Sequence, residues 1–165
     1  MEQEFKSGFV IIVGRPNAGK STLVNRLIGS KIAIISDKPQ TTRNKINGIL
    51  TTDKSQIIFI DTPGIHKPKH KLGEYMVATV IRSLEEADCI LYLVDASVDI
   101  GPGEEYILNI LQNVTTPVFL ALNKIDLIAK PRLAKMITEL TSARSFAEVV
   151  PVSAATGENV EVLLD

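Results

Sequence analysis

The sequence predicts an α/β domain with a mostly parallel, six-stranded sheet, one antiparallel edge strand and helices on both faces. Two observations support this fold class. Short, continuously apolar runs alternate along the chain with segments of helical periodicity, the order typical of a parallel sheet covered by helices. Two neighbouring strand segments are separated by only three residues, 53–55, which predicts a hairpin and therefore one antiparallel strand.

Short apolar runs predict buried strands, and apolar residues spaced along one face of a helix predict helices. The predicted strands are 9–13, 46–52, 56–60, 89–94, 118–122 and 149–152. The predicted helices are 21–28, 72–86, 104–112 and 131–140. The last of these begins at Pro131, whose missing N–H group costs nothing in a first turn. Residues 159–165 resemble the start of a further helix, so we expect one domain over residues 1–165 that is cut short in its last helix.

Composition excludes several classes of protein. Hydrophobic residues make up 45% of the 165 residues and charged residues 22%, which is typical of a folded globular domain. A net charge of −1 excludes an overall basic coat for nucleic acid, and the single Cys89 excludes a disulfide framework. No apolar run approaches the roughly 20 residues that span a bilayer, and the N-terminus lacks an apolar core of signal-peptide length. We therefore expect a cytoplasmic protein without a transmembrane segment.

The charge is nevertheless unevenly distributed along the chain. Between Lys31 and Leu72 there are eight Lys/Arg and three Asp/Glu residues, and the basic run HKPKHK occupies residues 66–71. Such a run can contact RNA or another acidic partner, or it can form a solvated loop. Both interpretations stay open at this point.

Residues 14–21, GRPNAGKS, carry the strongest chemical signal. They match the phosphate-binding pattern G-x-x-x-x-G-K-[ST] and lie between a predicted strand and a predicted helix, as this motif requires. Its glycines let backbone N–H groups surround a phosphate, and the helix N-terminus adds the positive end of its dipole. We expect Lys20 to reach the β- and γ-phosphates and the Ser21 hydroxyl to bind Mg²⁺. Further predicted contacts to the nucleotide come from Asn17, Ala18, Gly19 and Thr22.

A second signal, Asp61-Thr-Pro-Gly64, ends the predicted strand 56–60. An Asp at the end of a neighbouring strand is where phosphate-loop proteins hold Mg²⁺, often through water. The N–H group of Gly64 can approach the γ-phosphate because no Cβ obstructs it. We therefore predict Asp61 as a magnesium ligand and Gly64 as a contact to the γ-phosphate.

A third signal, Asn123-Lys124-Ile-Asp126, selects the base. The Asp126 carboxylate can accept hydrogen bonds from both N1–H and the 2-amino group of guanine. Adenine offers neither donor there, and the resulting mismatch can discriminate by roughly 10⁴-fold. Lys124 can lay its aliphatic stem along the base, and Asn123 can tie the neighbouring loops to the base edge. The pattern favours guanine over adenine and argues against a phosphate-loop ATPase or nucleotide kinase.

Ser153, Ala154 and Ala155 follow the last predicted strand. The tripeptide is a weak motif by itself, but it falls where a loop that binds the base is needed. We expect backbone N–H groups of this loop to contact the guanine O6.

Taken together, GRPNAGKS, DTPG, NKID and SAA make the chain resemble the translation-factor-like GTPases, and QTTR at residues 40–43 makes it similar to the Era family of bacterial ribosome-assembly GTPases. The resemblance covers residues 9–165. It implies the three-layer P-loop GTPase fold, GTP or GDP as ligand, and Mg²⁺. It also implies that Thr42 closes on Mg²⁺ in the GTP state, and that Lys20, Thr42 and Gly64 take part in catalysis.

The partners that the resemblance implies are the small ribosomal subunit and its rRNA, for the full-length protein. Peripheral association with the inner membrane stays an open alternative. Era-family proteins carry a K-homology RNA-binding domain after the GTPase domain, and residues 1–165 do not contain one. Related tandem-GTPase ribosome factors and tRNA-modification GTPases share these motifs and remain alternatives.

The sequence lacks one side chain that many GTPases use to orient the attacking water. Many GTPases place a Gln directly after the DxxG glycine to orient water, whereas this chain has Ile65, which neither donates nor accepts. We expect slow turnover, or a module that senses GTP and GDP with negligible turnover. In related GTPases an Asn at the position of Asn17 helps to hold K⁺, which would offset phosphate charge. Alternatively, Asn17 only stabilises the loop by a local hydrogen bond.

Overall fold

The computed structural model of the protein describes residues 3–29, 45–61 and 71–165. For residue 45 and for residues 71–77 it describes the backbone alone. The predictions for Thr42, for Gly64 and for most of the basic run at residues 66–71 lie outside the described residues.

One sheet with six described strands confirms the predicted fold class. Its spatial order is β2-β3-β1-β4-β5-β6; β2 is antiparallel to β3, and every other neighbouring pair is parallel. Residues 52–55 close the predicted hairpin, where the Thr52 hydroxyl accepts hydrogen bonds from the N–H groups of Lys54 and Ser55. The strands are β1 Lys6–Val13, β2 Lys45–Thr51, β3 Ser55–Asp61, β4 Cys89–Asp95, β5 Val118–Asn123 and β6 Glu148–Pro151.

Helices of the described chain lie close to the predicted positions. Pro occupies the first turn of both α3 and α4, where its missing N–H group would have no helical partner. A short 3₁₀ helix at Ile125–Leu127 was not predicted. The α-helices are α1 Lys20–Ile28, α2 Lys71–Glu86, α3 Pro102–Leu111, α4 Lys130–Ala143 and α5 Val160–Leu164.

Consecutive residues of β1 point to two separate hydrophobic clusters, as the alternation of a strand requires. Ile12 packs in the cluster that contains Leu23 of α1 and Val160 of α5. Ile11 and Val13 pack in the opposite cluster, to which three helices contribute. The apolar residues from those helices are Leu84 of α2, Ile107 and Leu111 of α3, and Met136 and Leu140 of α4. The sheet is thus the middle of three layers.

No helix among the described residues is long and apolar enough to cross a membrane.

Candidate nucleotide-binding site

Five strands end at the same edge of the sheet, and each has a residue of the candidate site at its end or shortly after it. Because parallel strands of an α/β sheet place their carboxyl ends together, ligands of such folds bind in the crevice at that edge. The phosphate loop, residues 14–21, follows β1; Asp61 ends β3, Asp95 ends β4, Asn123 ends β5, and Ser153 lies two residues after β6.

The phosphate loop has a backbone that its glycines and Asn17 make possible. Gly19 has φ +100° and Asn17 has φ +68°, both in the left-handed region. Gly14 is needed for a different reason, since a Cβ there would lie 2.6 Å from the carbonyl oxygen of Leu93. The chain therefore passes closely over β4 before it enters α1.

Lys20 and Asp61 lie next to each other at the start of α1. Lys20 Nζ donates to the carbonyl oxygen of Gly14 over 3.2 Å and lies 3.8 Å from Asp61 Oδ1. Ser21 is the second residue of α1, so its hydroxyl belongs to the same helix start. The predicted phosphate-binding lysine and one predicted magnesium ligand are thus in direct electrostatic contact.

Asn123 joins the phosphate loop to the loop after β6. Its side chain is 2% exposed; Nδ2 donates to the Ala18 carbonyl oxygen and Oδ1 accepts from the Ala154 N–H group, each over 2.9 Å. Gly19 makes room for this amide, because a Cβ there would collide with Asn123 Nδ2. Both hydrogen-bonding ends of a buried amide are therefore satisfied by backbone groups of two separate loops.

Lys124 forms a second bridge to the phosphate loop. Its backbone is left-handed at φ +68°, and its Nζ donates to the Asn17 carbonyl oxygen over 2.9 Å and to Asp95 Oδ2 over 2.8 Å. Burial by itself raises the pKa of Asp95, but hydrogen bonds from Lys124 and Ser97 outweigh it and hold the pKa below its usual value. Asp95 therefore keeps its charge and fixes the lysine.

Asp126 lies at the exposed end of the site, in the short 3₁₀ helix. The Ser153 hydroxyl donates to Asp126 Oδ1 over 2.8 Å and accepts from the Thr156 N–H group over 3.1 Å. Ser153 is fully buried. One carboxylate oxygen of Asp126 is thus oriented from within the protein, and the carboxylate faces solvent with its remaining acceptor capacity.

Arg26, on α1, binds the other side of the loop after β6. Its Nε donates to the Ala154 carbonyl oxygen over 3.1 Å and its Nη2 to the Ala155 carbonyl oxygen over 2.5 Å. Sequence reasoning missed Arg26, because an Arg on the polar face of a helix carries no signal of what it contacts.

A buried polar pair, also missed from the sequence, lies beside the phosphate loop. Tyr92 is fully buried, Glu104 is 3% exposed, and the Tyr92 hydroxyl donates to Glu104 Oε2. Burial raises the pKa of Glu104, although the hydrogen bond from Tyr92 and the charge of Arg15 act in the opposite direction. Arg15 belongs to the phosphate loop, and its side chain packs against Gly103, where a Cβ would lie 2.5 Å from Arg15 Nε. The first turn of α3 is therefore in contact with the loop.

Asp95 was missed as well, although its position offered a signal. It directly follows the apolar run of β4 and pairs in register with Asn123, the first residue of the predicted base-binding motif. An acidic residue at the carboxyl end of a buried strand, next to a strand that ends in N-K-x-D, is therefore a candidate partner for the lysine of that motif.

Comparison with known families identifies this arrangement. The family described as 50S ribosome-binding GTPases matches residues 9–124, which include the phosphate loop, Asp61, Asn123 and Lys124. The chain belongs to this family. It is therefore a GTPase domain, as the sequence predicted.

Among solved structures, this GTPase domain is similar to Era. One Era structure, in complex with MgGDPNP and nucleotides 1506–1542 of 16S ribosomal RNA, is 42% identical with a TM-score of 0.78. A variant of Aquifex aeolicus Era bound to GDP and AlF₄⁻ is 42% identical with a TM-score of 0.74. The matches cover 98% and 97% of this chain, but the chain spans only 55% of each Era chain.

A further similar structure is the G domain of the T. maritima FeoB iron transporter. It is 29% identical with a TM-score of 0.67, and the match covers 96% of this chain and 94% of that domain. A domain of the same extent thus also occurs as the G domain of a transporter.

Proposed function

We propose that this GTPase domain holds GTP or GDP with Mg²⁺ at the carboxyl edge of its sheet, changes conformation between the two states, and serves in the assembly of the small ribosomal subunit. The observation that carries the site is the buried amide of Asn123. It connects the phosphate loop at Ala18 with the loop after β6 at Ala154, each over 2.9 Å. A phosphate site and a base site joined in this way suit one nucleotide.

The base end of the proposed site is built for guanine. Asp126 is exposed, with one oxygen held by Ser153, so the carboxylate can be aimed at a ligand before the ligand arrives. Two acceptor oxygens fit N1–H and the 2-amino group of guanine. With adenine the same carboxylate would lose water without gaining a donor, which disfavours ATP.

The phosphate end of the proposed site offers cations and oxygen ligands. Lys20 Nζ bonds the Gly14 carbonyl oxygen and lies 3.8 Å from Asp61 Oδ1, and it can exchange that carbonyl for a phosphate oxygen when a nucleotide binds. The Ser21 hydroxyl and the Asp61 carboxylate are hard oxygen donors, which suit Mg²⁺. When bound, Mg²⁺ offsets the negative charge of the β- and γ-phosphates. Lys20 adds a second positive charge there, and the N-terminus of α1 adds its dipole.

Hydrolysis by this chain is proposed to be slow, because Ile65 stands where many GTPases have a water-orienting Gln. K⁺ held with the help of Asn17 is the proposed source of additional positive charge. The second candidate function, a module that senses the nucleotide with negligible turnover, is also favoured by Ile65. Phosphate release under multiple turnover, measured with GTP and ATP in K⁺ and in Na⁺, tests both. We expect GTP-specific turnover that is faster in K⁺; no turnover in either salt would favour the sensing module.

The proposed conformational change involves Thr42 and Gly64, which would contact the γ-phosphate region in the GTP state alone. Only such differential contact can shift an equilibrium between two conformations. We expect residues 37–43 and 65–71 to gain protection from hydrogen exchange with a GTP analogue relative to GDP. Equal protection in the two complexes would contradict the proposed conformational change but not the proposed nucleotide binding.

The ribosomal role is proposed for the full-length protein, in the cytoplasm. It is supported by the similarity to Era, one structure of which contains a segment of 16S ribosomal RNA. It is also supported by the basic run at residues 66–71, adjacent to the predicted γ-phosphate contact at Gly64. Co-sedimentation of the full-length protein with small ribosomal subunits, with GDP and with a GTP analogue, tests this role. Absence of co-sedimentation in both states would contradict it.

A further inference from the structure

Arg26 is the one described residue of α1 whose side chain holds two consecutive carbonyl groups of the loop after β6. Its guanidinium bonds the oxygens of Ala154 and Ala155 at 3.1 and 2.5 Å, across 128 and 129 residues of sequence. Two N–H donors from one planar group fix the orientation of two peptide planes at once. The loop is closed by a turn in which the Gly157 N–H group donates to the Ser153 carbonyl oxygen over 2.8 Å.

The orientation of these carbonyl groups determines where the amide N–H groups of the loop point. In a trans peptide the C=O and N–H groups point in opposite directions. The Ala155 carbonyl points to Arg26, and the N–H group of the same peptide, that of Thr156, points to Ser153 Oγ. Ser153 Oγ is the atom that donates to Asp126. The side of the loop opposite Arg26 is therefore the side of Asp126, where the base is proposed to bind.

The next peptide upstream, between Ala154 and Ala155, has the same orientation, but its N–H group is not used within the described part of the chain. Its carbonyl, that of Ala154, also points to Arg26, so its N–H group, that of Ala155, points towards the side of Asp126. The Ala154 N–H group is used by Asn123 and the Thr156 N–H group by Ser153. Among the described residues the Ala155 N–H group has no hydrogen-bond acceptor, and Ala155 is exposed. The loop thus presents one uncommitted donor on the base side.

We propose that Arg26 is a positioning residue for guanine recognition: by holding the Ala154 and Ala155 carbonyls, it aims the Ala155 N–H group at the guanine O6. The inference rests on the proposed guanine site and adds a residue that does not itself touch the nucleotide. Without Arg26 the two peptide planes can rotate, and the donor for O6 loses its fixed direction. The Ser153 hydroxyl still donates to Asp126 Oδ1 without Arg26, so the carboxylate keeps a donor that does not depend on the Ala155 N–H group.

Competition binding with three nucleotides separates these contacts. GDP carries both O6 and the 2-amino group of guanine. In 6-thio-GDP a sulfur atom, which is a weaker acceptor, replaces O6. IDP keeps O6 but lacks the 2-amino group that Asp126 is proposed to bind. In Arg26→Ala we expect GDP affinity to fall by roughly 3- to 10-fold, the value of about one hydrogen bond. We expect 6-thio-GDP affinity to fall less, so that the preference for GDP over 6-thio-GDP shrinks, while the preference for GDP over IDP is unchanged.

Two variants control this measurement. Arg26→Lys keeps one positive donor group and is expected to recover part of the preference for GDP over 6-thio-GDP. Asn25→Ala removes an exposed side chain on the same turn of α1 and is expected to leave all three affinities unchanged. If Arg26→Ala proves unstable, Arg26→Lys carries the same comparison with a smaller shrinkage.

The outcomes distinguish this inference from the proposed site. If Arg26→Ala weakens GDP and 6-thio-GDP equally, or weakens neither, Arg26 does not act through O6 and the inference is overturned. If the unmodified chain fails to prefer GDP over IDP, the proposed guanine site itself is wrong, and the inference falls with it. A selective loss of the preference for GDP over 6-thio-GDP supports both.

Discussion

The side-chain amide of Asn123 donates a 2.9 Å hydrogen bond to the carbonyl oxygen of Ala18, which joins the end of β5 to the phosphate loop. The two residues are 105 positions apart in the sequence. Asn123 is 2% exposed and its Oδ1 accepts from the Ala154 N–H group, so removal of the amide takes the partners from two buried backbone groups. The phosphate loop and the loop after β6 are therefore connected by one residue of the N-K-x-D motif.

Removing this amide should affect stability and binding together. Asn123→Ala leaves the Ala18 carbonyl and the Ala154 N–H group without partners, so we expect the free energy of unfolding to fall by roughly 2–4 kcal/mol. We also expect GDP affinity to fall more than tenfold. Urea denaturation and calorimetry measure the two effects. Asn113→Ala, which removes an exposed amide bonded to the Asn109 carbonyl, is the control and should change stability by less than about 0.5 kcal/mol. Similar effects of the two substitutions would contradict this account.

The start of α1 offers a test of the phosphate end. Lys20→Ala removes the amine that now bonds the Gly14 carbonyl oxygen, and Ser21→Ala removes an exposed hydroxyl. Neither side chain belongs to a hydrophobic cluster, so both variants should keep the fold, as measured by circular dichroism. We expect each to weaken Mg²⁺-dependent GTP binding by at least tenfold, because a charge-assisted contact is worth about 1.5–3 kcal/mol. Normal calorimetric binding of GTP with Mg²⁺ by both variants would exclude this loop as the phosphate site.

The Asp95–Lys124 pair should give the fold a pH dependence in acid. The pKa of Asp95 is held below its usual value in the folded protein, so its stabilisation is present above the unfolded pKa and is lost as pH falls through the folded pKa. Asp95→Asn should therefore lower the free energy of unfolding by roughly 1 kcal/mol at pH 7 and by progressively less in acid. Asp99→Asn, at an ion pair whose carboxylate side chain is 96% exposed, is the control and should change little. If the loss of unfolding free energy in Asp95→Asn stays constant down to pH 3, the Asp95–Lys124 ion pair is not its cause.

The buried Glu104 should have the opposite pH dependence. Burial raises its pKa in the folded state, so ionising this carboxyl opposes folding as pH rises above its unfolded pKa. Glu104→Gln can still accept a hydrogen bond from Tyr92 and should gain stability relative to the unmodified chain as pH rises through the folded pKa of Glu104. Glu105→Gln, exposed in the same turn of α3, is the control. Unfolding measured from pH 4 to pH 8 checks this; a difference independent of pH would rule out the explanation.

Removal of the Tyr92 hydroxyl tests the donor of the Tyr92–Glu104 hydrogen bond. Tyr92→Phe leaves Glu104 buried without its donor and should lower the free energy of unfolding by about 1–3 kcal/mol. At a pH where Glu104 is ionised, the same substitution in the Glu104→Gln background should have a smaller effect on unfolding measured by urea denaturation, because a neutral amide is less costly to leave unpaired than a carboxylate.

The fold was predictable from the sequence because its signals are local. Every residue of the apolar runs at 89–94 and 118–122 contributes to a strand that is buried on both faces, so continuous hydrophobicity indicates these strands directly. The hairpin was predictable because three residues are too few for a parallel connection. Pro131 indicated the start of α4, although the helix continues to Ala143 rather than to about Leu140.

The contacts of the site were only partly predictable, because they depend on distances along the chain that periodicity does not encode. The sequence predicted the motif residues Asn123 and Lys124, but the bridge from Lys124 to Asp95 depends on neighbouring strands ending in register. No periodicity or glycine in the sequence indicates the 3₁₀ helix or the left-handed backbone of Lys124. Glu104 has the pattern of an ordinary acidic residue in a first helical turn, and only the fold reveals its burial against Tyr92.

The most direct test of the guanine site is the nucleotide preference of Asp126→Asn. An amide presents one acceptor and one donor where guanine requires two acceptors, whereas xanthine carries an oxygen in place of the 2-amino group and can accept from that amide. The account predicts that GDP affinity falls by at least 100-fold and that the variant binds xanthosine diphosphate more tightly than GDP. Unchanged GDP affinity in this variant, with no gain for the xanthine nucleotide, would contradict the assignment of Asp126 as the residue that selects the base.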